Sequence, residues 1–232
     1  MSTTVTVRRA KPEDADDIVS LHRNTWPQDA IDEEAVRRLL DKGTHVAYVA
    51  VEASEVIGYA DGFATFDSQG TRRWELDLLA VHPDIRRHGV GSALIEAQTS
   101  HAKTADVSLI RGLVRTDNME GQSTFAAAGF EVDPIVYHLY QVSLADDSLS
   151  EVPASTHLIP IETFTYHGFW IEGRIRPATL TAIQSMDTSR GTSLVGMLLP
   201  EYHRYQELVD EIPGFRDDGA FQWWTHLLSA RR

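Results

Sequence analysis

The sequence predicts an α+β fold in which helices flank a central sheet. Segments rich in β-branched residues alternate with helix-forming segments along the chain, and residues 74–96 read as a buried strand, a tight loop and a helix. The length of 232 residues and the 42% share of apolar side chains fit one large domain, or one domain with a smaller annex.

The first half of the chain is predicted to run β-α-α-β-β-β-α-β-α-β. Val5 and Val7 alternate with threonines in a short first strand, and Pro12 begins a helix with acidic residues in its first turn. A second helix begins at Asp32 and ends at Gly43. The remaining elements are predicted as strands at 45–51, 56–66, 74–81, 107–114 and 136–144, and as a helix at 118–128.

The loop between residues 82 and 91 has the properties of an anion site. Gly89 and Gly91 lack a Cβ, so a ligand can approach the main chain closely. The following helix directs its free N–H groups and the positive end of its dipole at the same place. Arg86 and Arg87 add positive charge beside it. A ligand that carries phosphate groups is therefore expected there.

This segment resembles motif A of the GNAT superfamily of acyl-CoA-dependent N-acetyltransferases. Arg86, Gly89 and Gly91 fill the family pattern, and the strand ending at 79–83 precedes them. A Rossmann fingerprint is excluded because Leu94 stands where the third glycine belongs. A second family feature, Asn118 followed eleven residues later by Gly129-Phe130, is also present. The resemblance implies a GNAT domain over residues 1–145, with a mixed, mostly antiparallel sheet between helices.

The resemblance also implies acetyl-CoA as the co-substrate and assigns residues to its binding. The main chain of the preceding strand would pair with pantetheine and stabilise the oxyanion, and the loop amides would hold the pyrophosphate. Asn118 would bind the pantetheine arm, cap its helix, or do both. The implied binding residues are Leu79, Ala80, Val81, Arg86, Arg87, His88, Gly89, Val90, Gly91, Ser92, Asn118 and Phe125.

Two carboxylates on the strand before the loop are the candidate catalytic residues. Glu75 matches the strand glutamate that acts as general base in several family members, and Asp77 is expected on the same face. Together they would attract an ammonium and raise the pKa of one carboxyl group. The alternative is a solvated strand face.

One position departs from the family pattern. Phe125 stands where family members commonly place the tyrosine that protonates the CoA thiolate. Tyr137, Tyr140 and Tyr166 can replace it only if the fold brings them to the site; otherwise water suffices as the proton source.

The C-terminal part is predicted to be a smaller β-α-β-α-β annex at 158–232, joined by a polar linker at 146–157. It shows an internal repeat at an offset of 85 residues: 107–114 aligns with 192–199, and 136–145 aligns with 221–230. The annex thus resembles the second half of a GNAT unit without its phosphate loop, since it has 173–177 in place of the glycine pair. Its apolar surface is expected to pack on the first unit and contribute to a homodimer.

Composition limits the classes of partner. The net charge of −13 disfavours nucleic acids and anionic membranes, and the absence of cysteine excludes disulfides and thiolate metal sites. The histidines lack metal-ligand spacing, so no metal is expected. Without a signal-peptide core or a run of transmembrane length, a cytoplasmic protein is expected.

The sequence therefore predicts an enzyme that transfers an acetyl group from acetyl-CoA to a primary amine of a small molecule, by direct attack in a ternary complex. The alternative is a CoA-binding regulatory or scaffold protein without catalysis, suggested by Phe125 and the annex. A module with a vestigial loop is a third possibility. The acceptor amine is not identified by the sequence.

Overall fold

Helices and strands alternate along the chain much as the sequence predicts. The structure, a computed structural model, describes residues 4–144, 156–173, 175–184, 193–201, 206–210 and 214–228. Most of the expected linker at 146–157, and Arg174, lie outside these ranges. The first half contains β1 (Thr6–Arg9), α1 (Ala15–Thr25), α2 (Glu33–Lys42), β2 (His45–Glu52), β3 (Glu55–Phe66), β4 (Arg72–Val81), α3 (Val90–Ala102), β5 (Leu109–Arg115), α4 (Met119–Ala127), β6 (Glu131–Val132) and β7 (Tyr137–Leu144). The second half contains β8 (His157–Glu162), β9 (His167–Glu172), α5 (Pro177–Gln184), β10 (Ser193–Pro200), α6 (Gln206–Asp210) and β11 (Arg216–Leu227).

The helix ends follow local sequence rules and confirm the predicted boundaries to within a few residues. The Asp32 carboxylate accepts a hydrogen bond from Ala35 N at 2.8 Å and caps α2, which ends at Gly43 with a φ of 69°. The α4 helix ends before Gly129, whose φ is 81°. Gly43 and Gly129 thus mark where α2 and α4 end, and β2 and β6 begin shortly after them.

All described strands join one mixed sheet, in the order β1-β2-β3-β4-β5-β11-β7-β10-β9-β8, with β6 beside β11. The last strand of the chain is inserted between β5 and β7 and runs antiparallel to both. In the sequence prediction residues 136–144 are the last strand of the first half, whereas in the structure β7 pairs with β10 and β11, and β11 occupies the place beside β5. Sequence alone did not indicate this exchange, since the repeat makes the two closing strands equivalent.

The exchange gives the sheet an internal pseudo-twofold arrangement. On one side β3, β4, β5 and β11 follow one another, and on the other β8, β9, β10 and β7 do so with the same pairing directions. Each closing strand thus completes the other half. The division into units at 1–145 and 158–232 stays a prediction, but the two share one sheet.

The core consists of apolar clusters on both faces of the sheet. Helices α1 and α2 pack over β2 and β3 on one face, while α3 and α4 bury the other face together with Trp224 of β11. Helix α5 covers β10 in the second half. In the described part of the chain, no helix has both the length and the apolar character that crossing a membrane requires.

Candidate active site

The loop before α3 is shaped as an anion cradle. Arg87 and Gly89 both have positive φ angles, 64° and 80°, which turn successive main-chain groups towards the helix start. The first main-chain hydrogen bond of α3 is donated by Ala93 N to Gly89 O at 3.0 Å. Gly89 is the N-cap residue and has no side chain that could accept hydrogen bonds from the N–H groups of residues 90–92. A Cβ built on Gly89 meets no described atom within 4 Å. The space in front of the helix is therefore open to a ligand.

The neighbouring loop side chains have partners of their own. Arg86 binds Glu120 of α4 at 2.9 Å, and His88 Nδ1 lies 2.9 Å from Arg86 O. A Cβ on Gly91 would lie 3.1 Å from Thr124 Cγ2, so this glycine lets α3 approach α4. Arg87 is exposed and stands free to meet an anion.

The strand before the loop, β4, has a bulge on the side that faces β3 and separates from β5 on its other side. Between the pairs Ala60–Leu79 and Gly62–Leu76, Asp61 of β3 alone faces two residues of β4, Asp77 and Leu78. The parallel pairing of β4 with β5 ends at Leu76. Beyond that point, in the described part of the chain, the edge of β4 over residues 78–81 that faces away from β3 has no strand partner.

A cleft of about 880 Å³ opens at this separation. Five of the candidate catalytic and cofactor-binding residues line it: Glu75, Asp77, Leu79, Asn118 and Phe125. The loop residues 86–92 and the buried Ala80 are not part of the lining. The second half also contributes walls, with residues Ile159, Ile161, Thr163, Thr165, Tyr166, Trp170, Leu194, Arg216, Asp218, Phe221 and Trp223.

Asn118 and Phe125 have structural roles at the cleft wall. The Asn118 side chain accepts a hydrogen bond from Gly121 N at 2.9 Å and caps α4, as one of its two expected roles requires. Phe125 is 6% exposed and packs against Trp224, with ring centroids 6.3 Å apart. Its ring covers Gly112, where a Cβ would lie 2.6 Å from the ring.

Asp77 is one of the carboxylates that line the cleft. Its side chain is exposed to the cleft, although protein surrounds it on most sides. Burial raises the pKa of Asp77 to about 7, and the negative charge of Asp61 acts in the same direction, while His45 and a hydrogen bond from Thr163 oppose them. Near neutral pH this carboxyl group can therefore both accept and release a proton.

Glu75 is placed differently from the expectation. It is 7% exposed and its two carboxylate oxygens bind Arg73 Nε at 2.7 Å and Arg111 Nε at 2.8 Å. Glu172 of β9 binds both arginines as well, and the Arg111 guanidinium lies 3.8 Å from the centroid of the Trp223 ring. Burial alone would raise the pKa of Glu75, but the two guanidinium groups outweigh it and hold the pKa below its usual range. Glu75 is thus an ion-pair partner in this structure.

Two buried residues next to Asp77 were missed by sequence reasoning. Asp61 and His45 form a buried pair through Asp61 Oδ2 and His45 Nε2, and Asp61 Oδ1 accepts a hydrogen bond from Leu78 N at 3.0 Å. The available signal was an acid in the middle of the apolar segment 56–66, because a buried carboxylate requires partners.

Two of the three candidate tyrosines, Tyr166 and Tyr140, do not supply a free acid. Tyr166 lines the cleft, but its hydroxyl donates to Phe169 O at 2.7 Å, and burial raises its pKa above the usual range. The Tyr140 hydroxyl donates to Asp210 at 3.2 Å outside the cleft lining. In the described ranges, no group of three or more His, Asp and Glu side chains is arranged to hold a metal ion.

Comparison with known proteins identifies the family and the fold. The model of the acetyltransferase (GNAT) family matches residues 15–130. A search of curated protein sequences gave no match.

Solved structures resemble the chain at low identity. The glucosamine N-acetyltransferase region of a fungal multi-domain β-N-acetylglucosaminidase has a TM-score of 0.64 at 12% identity, over 97% of this chain and 38% of that one. The aminoglycoside N-acetyltransferase AAC(6')-Iy, solved with CoA, has a TM-score of 0.51 at 19% identity, over 56% of this chain and 90% of that one. Arabidopsis thaliana NAA60, solved with a bisubstrate analogue, has a TM-score of 0.51 at 19% identity, over 58% and 87%. The first of these likenesses extends over both halves of the sheet.

Proposed function

Because the chain belongs to the GNAT acetyltransferase family, we propose that it transfers an acetyl group from acetyl-CoA to a primary amine of a small molecule. The two substrates would bind together in the cleft, and the amine would attack directly. The observation that carries this proposal is one cleft that joins the unpaired edge of β4 to the Asp77 carboxylate.

The chain's own residues fit the CoA ester. The open space at Gly89 and the free N–H groups of residues 90–92 suit a pyrophosphate, with Arg87 as an added charge. The edge of β4 over residues 79–81 that faces away from β3 suits the amide groups of pantetheine, which can pair with it like a short strand. Asn118 caps α4 beside this path and can still meet the pantetheine arm with its amide nitrogen.

Asp77 is the general base of this proposal, and Glu75 is not. An amine reaches the enzyme as an ammonium ion, and a carboxylate whose pKa is about 7 can take its proton near neutral pH. Glu75 cannot do so readily, because two arginines stabilise its ionised form. The exposed Asp29, which lines the same cleft, adds negative charge that attracts the ammonium.

The transfer step then balances as follows. Asp77 takes a proton from the ammonium, and the nitrogen lone pair forms a bond to the acetyl carbon. A main-chain N–H on the unpaired edge over 79–81 stabilises the developing oxyanion. The C–S bond breaks with its electron pair on sulfur, the amide nitrogen loses its second proton to water, and the thiolate receives a proton. Water supplies that last proton, since Phe125 has none and Tyr166 is engaged elsewhere.

A panel of primary amines tests the function. The full chain is incubated with acetyl-CoA and, separately, an alkyl diamine, an arylalkylamine, an amino sugar and a peptide with a free α-amine, and both free CoA and the acetylated amine are measured. We expect one class to react faster than the buffer control by at least about 10⁴-fold. Tight CoA binding by calorimetry with no turnover of any amine would instead favour a CoA-binding protein without catalysis. Absence of both binding and turnover would indicate a vestigial loop.

The proposal also includes an oligomeric state and a cellular location. A homodimer is proposed because the second half leaves the apolar side chain of Leu227 at the end of β11 exposed, where a second copy can cover it. Light scattering on a sizing column tests it. The cytoplasm is the proposed location, since acetyl-CoA is supplied there, and fractionation of cells tests it.

A further inference from the structure

The bulge in β4 is held by a side chain rather than by the main chain alone. Asp61 stands opposite Asp77 and Leu78, where two residues of β4 face one of β3. Its Oδ1 atom accepts the hydrogen bond from Leu78 N at 3.0 Å. The carboxylate therefore satisfies an N–H group that the irregular strand pairing would leave without a main-chain partner.

The other oxygen of this carboxylate is fixed from β2. Asp61 Oδ2 binds His45 Nε2, and both side chains are almost fully buried, with exposures of 0% and 1%. The imidazole lies between the rings of Phe63 and Phe164, with centroids 5.5 and 4.7 Å away. Such packing leaves the pair little freedom to rotate. The bulge is thereby tied to two strands and to the turn after β8.

The pair also has an electrostatic effect at the cleft. Burial acts to lower the pKa of His45, but the Asp61 carboxylate outweighs burial and raises that pKa above its ordinary value. Four side chains act on the Asp77 carboxylate from the elements around it. They are Asp61 of β3, His45 of β2, Thr163 of the turn after β8, and Glu75 of the same strand as Asp77. Arg73 and Arg111 neutralise Glu75, and Asp61 and His45 are the charged groups that act most strongly on Asp77.

We infer that Asp61 and His45 are positioning residues for acetyl transfer: His45 fixes the Asp61 carboxylate, and Asp61 fixes the bulge that presents Asp77 to the amine. The two charges of the pair also act on the pH range in which Asp77 takes the proton. This inference rests on the proposed function. It goes beyond it because neither residue lines the cleft in which the two substrates are proposed to bind.

Two substitutions separate position from charge. Asp61→Asn keeps an oxygen that can accept from Leu78 N but removes the negative charge, while Asp61→Leu removes both. With acetyl-CoA and the fastest amine of the panel, Asp61→Leu should lower kcat by about 10- to 100-fold, with the KM for acetyl-CoA within about twofold. Asp61→Asn should restore most of kcat at the plateau. Its acidic limb should move to lower pH, because the charge of Asp61, which disfavours the ionised Asp77, acts on it more strongly than the opposing charge of His45 that is weakened with it.

A control and a second readout keep the test sharp. Tyr140→Phe removes another buried polar group from the same sheet, outside the cleft lining, and should leave both kcat and the pH profile unchanged. The His45 imidazole, followed by NMR in the full chain, should stay protonated to higher pH in the wild type than in Asp61→Asn.

The outcomes separate this inference from the proposed function. If Asp61→Leu keeps the wild-type kcat, or if Asp61→Asn keeps the wild-type pH profile, the inference is overturned while acetyl transfer stands. It is also overturned if both variants lose kcat and acetyl-CoA binding in parallel, since that indicates a purely structural role. If no amine turns over, the proposed function fails. If the His45 imidazole titrates at the same pH in the wild type and in Asp61→Asn, the proposed pairing of Asp61 with His45 is overturned by that result alone.

Discussion

Arg111 Nε lies 2.8 Å from Glu75 Oε2, and the same guanidinium reaches Glu172 of the second half at 3.3 Å. With Arg73, these residues form a buried network of two cations and two anions across β4, β5 and β9. The network joins the two halves beneath the cleft. It neutralises Glu75 and thereby leaves Asp77 as the carboxylate that can exchange a proton.

Glu75→Gln should therefore reduce stability and leave the chemistry intact. The change leaves two buried guanidinium groups with one carboxylate between them, at a cost on the order of 2 kcal/mol in the free energy of unfolding. Urea unfolding measures it. Glu162→Gln is the control, because Glu162 pairs with Arg38 and Lys42 at the surface and should cost less than about 1 kcal/mol. A changed acidic limb in the pH–rate profile of Glu75→Gln would return the base role to Glu75.

Asp77→Asn should remove the general base. We expect kcat to fall by at least about 100-fold and the rise in rate through pH 7 to disappear, with acetyl-CoA affinity within about twofold. The physical reason is that the pKa of Asp77 is raised to about 7, so the wild-type rate should increase as that group ionises. A pH–rate profile and calorimetry with acetyl-CoA measure both effects. A variant that keeps the wild-type profile would show that another group takes the proton.

The same substitution should have a stability effect with a defined sign. A carboxyl group whose pKa is raised in the folded state binds more protons folded than unfolded, between its ordinary pKa and about 7. Stability from this group is present at low pH and lost as pH rises through that range. Asp77→Asn should match the wild type near pH 4 and melt at a higher temperature above pH 7. Equal melting temperatures at both pH values would contradict the raised pKa.

Gly89→Ala should weaken CoA binding. The new Cβ projects into the space in front of α3, where the pyrophosphate is proposed to lie, and affinity should fall by at least about tenfold, or 1.4 kcal/mol. Gly70→Ala is a matched control: Gly70 has a φ of 82° against 80° for Gly89, and no described atom lies within 4 Å of its Cβ either. Both variants carry the same backbone strain. Equal CoA affinities by calorimetry would refute the assignment.

Local features of this fold could be predicted from the sequence, and long-range pairing could not. The cap at Asp32, the left-handed Gly43 and the glycine loop at 89–91 depend on neighbours within a few residues. Glu75 pairs with Arg73 of its own strand and with Arg111 of β5, which is 36 residues away, and both arginines also bind Glu172 of β9. No local rule indicates that Arg111 and Glu172 would join this group. The pairing of Asp61 with Leu78 likewise depends on a bulge that appears only when β3 and β4 meet.

The position of β11 between β5 and β7 also depends on long-range pairing. The repeat makes residues 136–145 and 221–230 equivalent, so both can pair beside β5. The choice depends on the whole sheet, since β11 must fit between β5 and β7 at once. Its Trp224 then lies opposite Gly112 and against Phe125, where a residue of β7 would otherwise stand.

A chain that ends at residue 214 should consequently lose the fold of both halves. Removing β11 leaves β5 and β7 without their shared partner and takes Trp224 and Leu228 out of the core around Phe125. Two exposed strand edges favour aggregation, and the cleft loses the wall that Phe221 and Trp223 provide. We expect an insoluble product or one without a cooperative thermal transition, and no CoA binding by calorimetry. A chain that ends at residue 228 keeps β11 and should behave like the full chain, which controls for truncation itself. If the shorter chain is soluble, melts cooperatively and binds CoA with wild-type affinity, β11 is not required to complete the first half.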